Sequence, residues 1–450
     1  MKLGVLKKFI PQFIWRKIEK NPELQKIVAN MNWLFLDKVI QAVLGLVVGI
    51  WMARYLGPDQ FGLLSFVIAF VSLFGIFARL GLNNIAIREI VKNPDKKDEI
   101  LGTSFLMKAL GGIFAIALSV GYIVFIKSED IVLVMTVVIS STLLFQAFDI
   151  IDYWFQSQEK NKYSVYSRNF GLVLASIMKI IFIILGFSVF FFALANLIAV
   201  LGTSLALLWF YLHTKNSFKW KINFSLMKKM LSDSWPLILS GVAIAVYMKL
   251  DQVMIGTMLT NSDLGNYSIA VRLSEAWYFV PSIIIIAIFP SMIKARKRNY
   301  DAYIQKLQGL YGLMVWMGII IAIPISIFSR QIINFLYGDQ YSSAFVVLSI
   351  YVWAGIFVFL GNASAKYLVV ENFTKIAFLK SLIGAIINIV LNLILIPRYG
   401  IEGAAVATLL SYMAVVLVLV FPKKTKVNGM LYLRAFNPYY VFQYFKNFFK

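Results

Sequence analysis

The sequence predicts an all-α polytopic membrane protein of about twelve transmembrane helices in two six-helix bundles. Of its 450 residues, 60% are hydrophobic and 14% are charged, whereas soluble domains carry about 25% charged residues. The apolar residues form continuous runs such as 131–151 and 401–421, and about 20 such residues cross the hydrocarbon core as a helix. The runs do not alternate at period two, which excludes a transmembrane β-barrel.

Twelve apolar stretches of about 21 residues are long enough to span the membrane. We predict spans at 33–55, 61–82, 101–126, 131–154, 168–187, 189–212, 235–259, 264–293, 309–329, 344–368, 375–396 and 401–421. An N-terminal segment (1–32), a bundle (33–212), a basic linker (213–234), a second bundle (235–421) and a tail (422–450) follow from these spans. The loops are too short to hold a soluble domain.

Basic residues orient the chain. Lys and Arg outnumber Asp and Glu by 43 to 21, and roughly thirty of them fall in alternate loops against three in the others, as the positive-inside rule requires of cytoplasmic loops. Both termini are therefore expected on the cytoplasmic side of the cell (inner) membrane. The segment 1–32 lacks the apolar core of a signal peptide, and we expect it and the aromatic, basic tail to lie on the membrane surface. This distribution argues against nucleic-acid binding.

The residue inventory excludes several kinds of chemistry. There is no cysteine and only one histidine, His213, so no metal or haem ligand set of these residues is expected. The nucleotide-binding pattern Gly-x-x-x-x-Gly-Lys-Ser/Thr does not occur, which excludes direct NTP hydrolysis. The longest predicted outside segment, about 330–343, is too short for an active-site loop. A transporter is therefore favoured over a membrane enzyme.

A faint internal repeat relates the two bundles. Residues 56–62, Leu-Gly-Pro-Asp-Gln-Phe-Gly, align with residues 259–265, Leu-Thr-Asn-Ser-Asp-Leu-Gly, and a serine follows three residues later in each. Both stretches form the outside turn between the first two helices of a bundle. Since six spans separate them, the halves would enter the membrane in the same sense, as parallel repeats do.

Several short motifs resemble the polysaccharide repeat-unit flippases, often called Wzx. Residues 51–62, Trp-Met-Ala-Arg-Tyr-Leu-Gly-Pro-Asp-Gln-Phe-Gly, resemble the first hairpin of that family. Gly81-Leu82-Asn83-Asn84 with Arg88-Glu89 resembles the end of its second helix, and residues 251–256 with 264–270 resemble the start of its second half. Tyr337-Gly338 and residues 399–405 resemble later outside turns. The superfamily also holds multidrug extruders and the lipid II flippase.

This resemblance implies a fold and a function. The fold is two bundles in a V around a central cavity, as in MATE transporters, working by alternating access. The cargo is a polyprenyl (undecaprenyl)-diphosphate-linked oligosaccharide for O-antigen, capsule or exopolysaccharide, which implies contacts with membrane lipids and other polysaccharide assembly proteins. Lipid II flippases usually carry two further helices, and their absence here weighs against that substrate. A drug/cation antiporter is the other alternative.

Charged residues inside the predicted spans are candidate functional residues, because burying a charge in the membrane is costly. Without Lys375 and Glu402, which lie at the very ends of their spans, the spans hold ten basic and five acidic residues, and this positive interior suits an anionic diphosphate cargo. Basic residues near span ends, among them Arg168 and Lys380, are expected to snorkel to the interface, whereas Asp149 and Asp152 could be satisfied by a loop lysine. The predicted cavity cations are Lys38, Lys108, Lys179, Lys249 and Arg272. The alternative is a set of internal salt bridges.

Buried carboxylates are the natural carriers if H⁺ or Na⁺ drives transport, and no other cofactor is expected. Asp37, Asp251 and Glu275 are the candidates for this role. Arg272 and Glu275 are spaced to pair on one helix face, whereas Lys249 and Asp251 must find partners on other helices. Pro281 is expected in the middle of the eighth span, where a proline kinks a helix, and it is a candidate hinge.

Overall fold

The computed structural model describes residues 22–126, 129–214, 216, 218–371 and 373–439, and in these ranges the regular structure is helical. The first half holds α1 (Pro22–Arg79), α2 (Leu82–Lys92), α3 (Lys97–Phe125), α4 (Asp130–Phe145), α5 (Asp149–Ser157), α6 (Asn161–Ile184) and α7 (Val189–His213). The second holds α8 (Phe224–Met258), α9 (Asn261–Glu275), α10 (Phe279–Arg298), α11 (Tyr300–Ile327), α12 (Ser329–Tyr337), α13 (Ala344–Tyr351), α14 (Ala354–Val370), α15 (Thr374–Leu417) and α16 (Lys426–Ala435).

The prediction of a polytopic, all-α membrane protein is confirmed. Among the described residues, nine helical stretches are long and apolar enough to cross a membrane. Two of them, 37–92 and 375–420, each contain two predicted spans, so the nine stretches cover eleven of the twelve predictions.

The two doubled stretches turn at glycines. Gly57 in α1 has φ 69° and Gly400 in α15 has φ 58°, a left-handed conformation that residues with a Cβ rarely adopt. At the first turn Pro58 follows directly, where its fixed φ suits the start of the next helix and its missing N–H costs nothing. The Leu-Gly-Pro and Tyr-Gly motifs therefore mark the turns of helical hairpins.

The prediction of one continuous helix over 264–293 is wrong. The chain leaves the helix at residues 276–278, between α9 and α10. α9 is polar and begins with a capping box in which Thr260 and Asp263 bond each other's backbone N–H groups, a start signal that favours a separate short helix. Pro281 consequently lies in the first turn of α10 rather than in mid-helix. The role of Pro281 as a hinge stays a prediction. The break in the helix lies before it, at residues 276–278.

The chain forms two compact units. The first comprises residues 1–49 and 74–238, and the second comprises residues 50–73 and 239–450. Buried apolar residues from α2, α3, α5 and α7 form a core in the first unit, with Ile150, Phe155 and Tyr211 fully buried. The second unit has its main core between α11 and α14, around Leu310, Tyr311 and Leu360.

Within the second unit, the two stretches of the sequence repeat pack on each other reciprocally. A Cβ on Gly62 would lie 1.8 Å from the backbone oxygen of Asn261, and a Cβ on Gly265 would lie 2.0 Å from the backbone oxygen of Pro58. Gly62 and Gly265 are equivalent in the repeat, and so are Pro58 and Asn261. Each repeat thus presents its glycine to the same position of the other, as a two-fold axis requires.

The first part of the tail packs against the second unit. Residues 426–435 form α16, whose Leu431, Tyr432 and Ala435 belong to the core of the second unit. Tyr311 donates a hydrogen bond of 2.5 Å to the buried Asn428 side chain. One face of this helix is therefore buried in the protein, whereas Val427, Met430 and Leu433 are exposed, and a membrane-surface role for the tail stays a prediction. The predictions for residues 1–21 and 440–450 lie outside the described residues.

Candidate functional site

An ion-pair cluster links α1, α5 and α6 in the first unit. Asp37 is buried and its carboxylate lies 3.0 Å from the Arg168 guanidinium, which also lies 3.4 Å from Asp152. Gln41 and Asn169 donate further hydrogen bonds to Asp37, at 2.9 and 3.0 Å. Two acidic residues on neighbouring helices contact the partly exposed Arg168, and its snorkelling to the interface stays a prediction.

We expect Arg168→Gln to destabilise the first unit, since it leaves the buried Asp37 carboxylate without its cation. Breaking a buried ion pair from one side costs about 3–5 kcal/mol, and the value here should be near the lower end because the arginine is partly exposed. Thermal unfolding of the purified protein in detergent measures the loss. The exposed Arg79→Gln is the matched control, and Asp37→Asn combined with Arg168→Gln should recover part of the stability. An unchanged midpoint for Arg168→Gln would contradict the pairing.

The other predicted cations of the first unit have different surroundings. Lys108 is completely buried, with its ammonium 3.1 Å from Asp149 and 3.2 Å from the Tyr153 hydroxyl. Asp149 is therefore paired by a lysine inside a span rather than by a loop lysine. Lys179 donates a 3.4 Å hydrogen bond to Asn196 on α7, and Lys38 is exposed on the surface of α1.

In the second unit, Lys249 and Glu275 face each other across two helices. The Lys249 ammonium on α8 lies 3.9 Å from the Glu275 carboxylate at the end of α9, and both side chains are partly exposed. The Tyr351 hydroxyl donates to the same carboxylate at 3.5 Å. The cation that Glu275 contacts is thus Lys249 on another helix, whereas the predicted partner Arg272 lies half-buried one turn earlier on α9. The pair lies next to the break between α9 and α10, because Glu275 is the last residue of α9.

Asp251 lies two residues from Lys249 and has a different environment. It is buried, and its carboxylate accepts hydrogen bonds from the Tyr267 hydroxyl, from Thr408 at 3.3 Å and from the backbone N–H of Gln252 at 2.7 Å. These donors are all neutral. They come from α8, α9 and α15, so that one carboxylate joins three helices.

Comparing the five predicted intramembrane carboxylates separates Asp251 from the rest. Asp37, Asp149, Asp152 and Glu275 each lie within 4.0 Å of a basic side chain from another helix. In the part of the chain that the structure describes, no basic side chain comes that close to Asp251. Four of the carboxylates therefore form internal salt bridges, whereas the described groups that donate hydrogen bonds to Asp251 are neutral.

Sequence reasoning missed one buried cation. Lys380 on α15 is 7% exposed and its ammonium donates to the Ser364 hydroxyl at 3.3 Å, so the expectation that it snorkels is wrong. No carboxylate within the described ranges lies within 4.0 Å of it. Ser364 could have indicated this buried lysine from the sequence. It lies four residues after Leu360 on the buried face of α14, and a polar residue on a buried face indicates a polar neighbour.

The motif Arg88-Glu89 also has a clear structural role. Glu89 is buried and lies 3.0 Å from Arg88 and 3.4 Å from Lys229 at the start of α8. Arg88 also pairs with Asp233. This network ties α2 to α8 within the first unit, so the motif serves packing.

Solved structures of two transporters share the fold. The inward-facing conformation of a multidrug resistance MATE family transporter of the MOP superfamily matches with a TM-score of 0.74 and 14% identity, over 86% of this chain and 95% of that one. The lipid II flippase MurJ in an inward closed conformation matches with a TM-score of 0.72 and 16% identity, over 91% of this chain and 90% of that one.

Sequence comparison identifies a related flippase and a protein family to which the chain belongs. The probable low-salt glycan biosynthesis flippase Agl15 of Haloferax volcanii is 26% identical over 47% of this chain, which spans less than half (45%) of the length of that flippase. The model of a family described as polysaccharide biosynthesis protein matches residues 27–296, more than half of the chain. Because this match covers more than half of the chain, the chain belongs to the polysaccharide biosynthesis protein family.

Proposed function

We propose that this protein is a flippase that moves polyprenyl-diphosphate-linked oligosaccharides across the cytoplasmic membrane by alternating access. The observation that carries the proposal is the surplus of basic side chains inside the spans. Without the span-end residues Lys375 and Glu402, four of the five intramembrane carboxylates are already paired with cations, yet ten basic residues lie in the predicted spans. The diphosphate group of the cargo cannot cross the hydrocarbon core unaided. Lys and Arg side chains along the path would replace its hydration shell with charge-assisted hydrogen bonds.

Lys249 and Arg272 are the residues we propose for contact with the diphosphate. Lys249 is held only loosely, since its carboxylate partner is 3.9 Å away and its side chain is 31% exposed. A phosphate oxygen can therefore approach the ammonium without displacing a short, buried ion pair. Arg272 offers a planar fork that suits two phosphate oxygens. Lys179 and Lys38 stay predictions for the same role, whereas Lys108 has a short internal pair and is better suited to packing.

Asp251 is the residue we propose for ion coupling. A buried carboxylate without a basic partner has a high energy when ionised, so binding of H⁺ or Na⁺ would relieve it. Of the three predicted coupling carboxylates, Asp37 and Glu275 have cations within 4.0 Å, which leaves less need for an external ion. Tyr267 and Thr408 would respond to a change at Asp251, because both donate to it.

The test is translocation of a fluorescent polyprenyl-diphosphate oligosaccharide in proteoliposomes. We expect Lys249→Ala and Arg272→Ala each to reduce the initial rate at least about tenfold, because truncating a charge that meets an opposite charge in a desolvated site costs about 2–5 kcal/mol. Arg398→Ala, which removes an exposed arginine, is the control and should move the lipid at the wild-type rate.

Two outcomes would contradict parts of the proposal. Equal rates in all four proteins would keep the flippase function but reduce Lys249 and Arg272 to packing residues. A stationary sugar lipid, together with a cationic dye that moves against an ion gradient, would favour a drug/cation antiporter instead.

A further inference from the structure

A cavity lies in the second unit where α10 ends and α11 begins. Its volume is about 280 Å³. Ser291, Lys294, Ala295 and Arg298 line it from α10, and Asn299, Ala302 and Lys306 line it from the junction and α11. Residues three, four and seven apart share a helix face, so each helix presents one continuous face to the cavity.

Three basic side chains meet in this cavity without an internal counter-charge. Lys294 and Arg298 are exposed and Lys306 is half-buried. In the ranges that the structure describes, none of the three has a carboxylate within 4.0 Å. The positive end of the dipole of the 28-residue helix α11 adds to the field there.

In contrast to these three residues, the neighbouring Arg296 has a carboxylate partner. Its guanidinium lies 2.7 Å from one oxygen of Glu371 and 3.2 Å from the other. It also stacks on the Tyr300 ring, 4.9 Å from the ring centre. Arg296 does not line the cavity. In this segment, the arginine with a carboxylate partner therefore lies outside the cavity, and the basic residues without one line it.

The size and the walls of the cavity restrict its ligand. Pockets for drug-sized molecules occupy about 300–1,000 Å³, so a cavity of about 280 Å³ holds a phosphate ester but not an oligosaccharide. Two alanines among the lining residues provide apolar wall, and the adjacent Ile293 is exposed. A ligand with a phosphate group and an attached apolar part fits this combination.

We propose that this cavity binds the phosphate headgroup of an anionic membrane lipid. Lys294, Arg298 and Lys306 would contact the phosphate oxygens, and the acyl chains would lie beside Ile293. Basic pockets at the cytoplasmic ends of transmembrane helices are suited to such headgroups, and the positive-inside rule assigns this loop to the cytoplasm. The site is separate from the proposed transport residues, so its test does not depend on transport.

The experiment measures lipid binding to the purified full chain by native mass spectrometry, with phosphatidylglycerol as the probe and phosphatidylcholine as the neutral comparison. The pocket variant combines Lys294→Gln, Arg298→Gln and Lys306→Gln. The control variant combines Lys297→Gln, Lys423→Gln and Lys424→Gln, which removes the same charge from exposed positions outside the cavity. We expect the pocket variant to bind phosphatidylglycerol at least about tenfold more weakly than wild type and the control to stay within about threefold.

Two results would overturn the proposal. Equal losses in both triple variants would mean that the lipid responds to diffuse surface charge. If inorganic phosphate binds the wild type as tightly as phosphatidylglycerol does, the site recognises a free ion and the lipid assignment fails. Arg298→Gln alone, at an exposed position, provides the same comparison with Lys297→Gln should the triple variant not fold.

Discussion

Replacing Gly62 or Gly265 by alanine should destabilise the second unit by at least about 3 kcal/mol, at the upper end of what overpacking usually costs. The added methyl groups would lie 1.8 Å and 2.0 Å from backbone oxygen atoms. Backbone cannot rotate away as a flexible side chain can, so the hairpins would have to separate. Thermal unfolding and size-exclusion chromatography in detergent would show a lower midpoint and less monodisperse protein.

Gly361→Ala is the matched control for this prediction. Gly361 lies in α14, in the same unit, and a Cβ there meets nothing within 4 Å. Because alanine is favoured over glycine in a helix by about 1 kcal/mol, this variant should be as stable as wild type or more so. If Gly62→Ala or Gly265→Ala matched Gly361→Ala in stability, the reciprocal hairpin contact would be absent in the membrane protein.

Asp251→Asn should abolish the response of transport to an ion gradient while leaving the protein folded. Asparagine keeps the size of the side chain and an oxygen to accept from Thr408 and Tyr267, but it can neither bind a proton nor attract Na⁺. Couplings between ligands in proteins are typically about 5- to 150-fold, so the gradient-driven rate should fall at least about tenfold. The rate would be measured in proteoliposomes with and without imposed H⁺ or Na⁺ gradients.

Asp59→Asn provides the comparison for Asp251→Asn. Asp59 is an exposed carboxylate in the first hairpin turn, and its removal should leave the gradient response intact. Tyr267→Phe removes one donor to Asp251 and should change the ion affinity without removing the response. A normal gradient response in Asp251→Asn would show that the coupling ion binds elsewhere or that transport is uncoupled.

The sequence predicts most of the fold because hydropathy and turn residues carry that information locally. The turn at Gly57-Pro58 is an example: the glycine permits the positive φ of the turn, and the proline after it favours the start of a new helix. The eighth span was mispredicted because its apolar second half raised the hydropathy of the whole stretch. The capping box at Thr260 and Asp263 and the polar composition of α9 were the signals against a single helix.

The pairing of the charges could not be predicted in the same way. Asp37 and Arg168 lie on α1 and α6, and Lys249 and Glu275 on α8 and α9, so their proximity depends on how helices pack. Position along a span identifies charges that are costly to bury, but not which of them a neighbouring helix neutralises. Lys380 was misjudged for that reason, since nearness to a span end says nothing about burial against other helices.

The reciprocal hairpin contact has a consequence for the origin of the chain. Equivalent residues of the two repeats meet, Gly62 on Asn261 and Gly265 on Pro58, as identical subunits of a symmetric homodimer do. A shorter ancestor with a single repeat could therefore have made this contact with a second copy of itself. Gene duplication and fusion would then have turned an intermolecular interface into an intramolecular one.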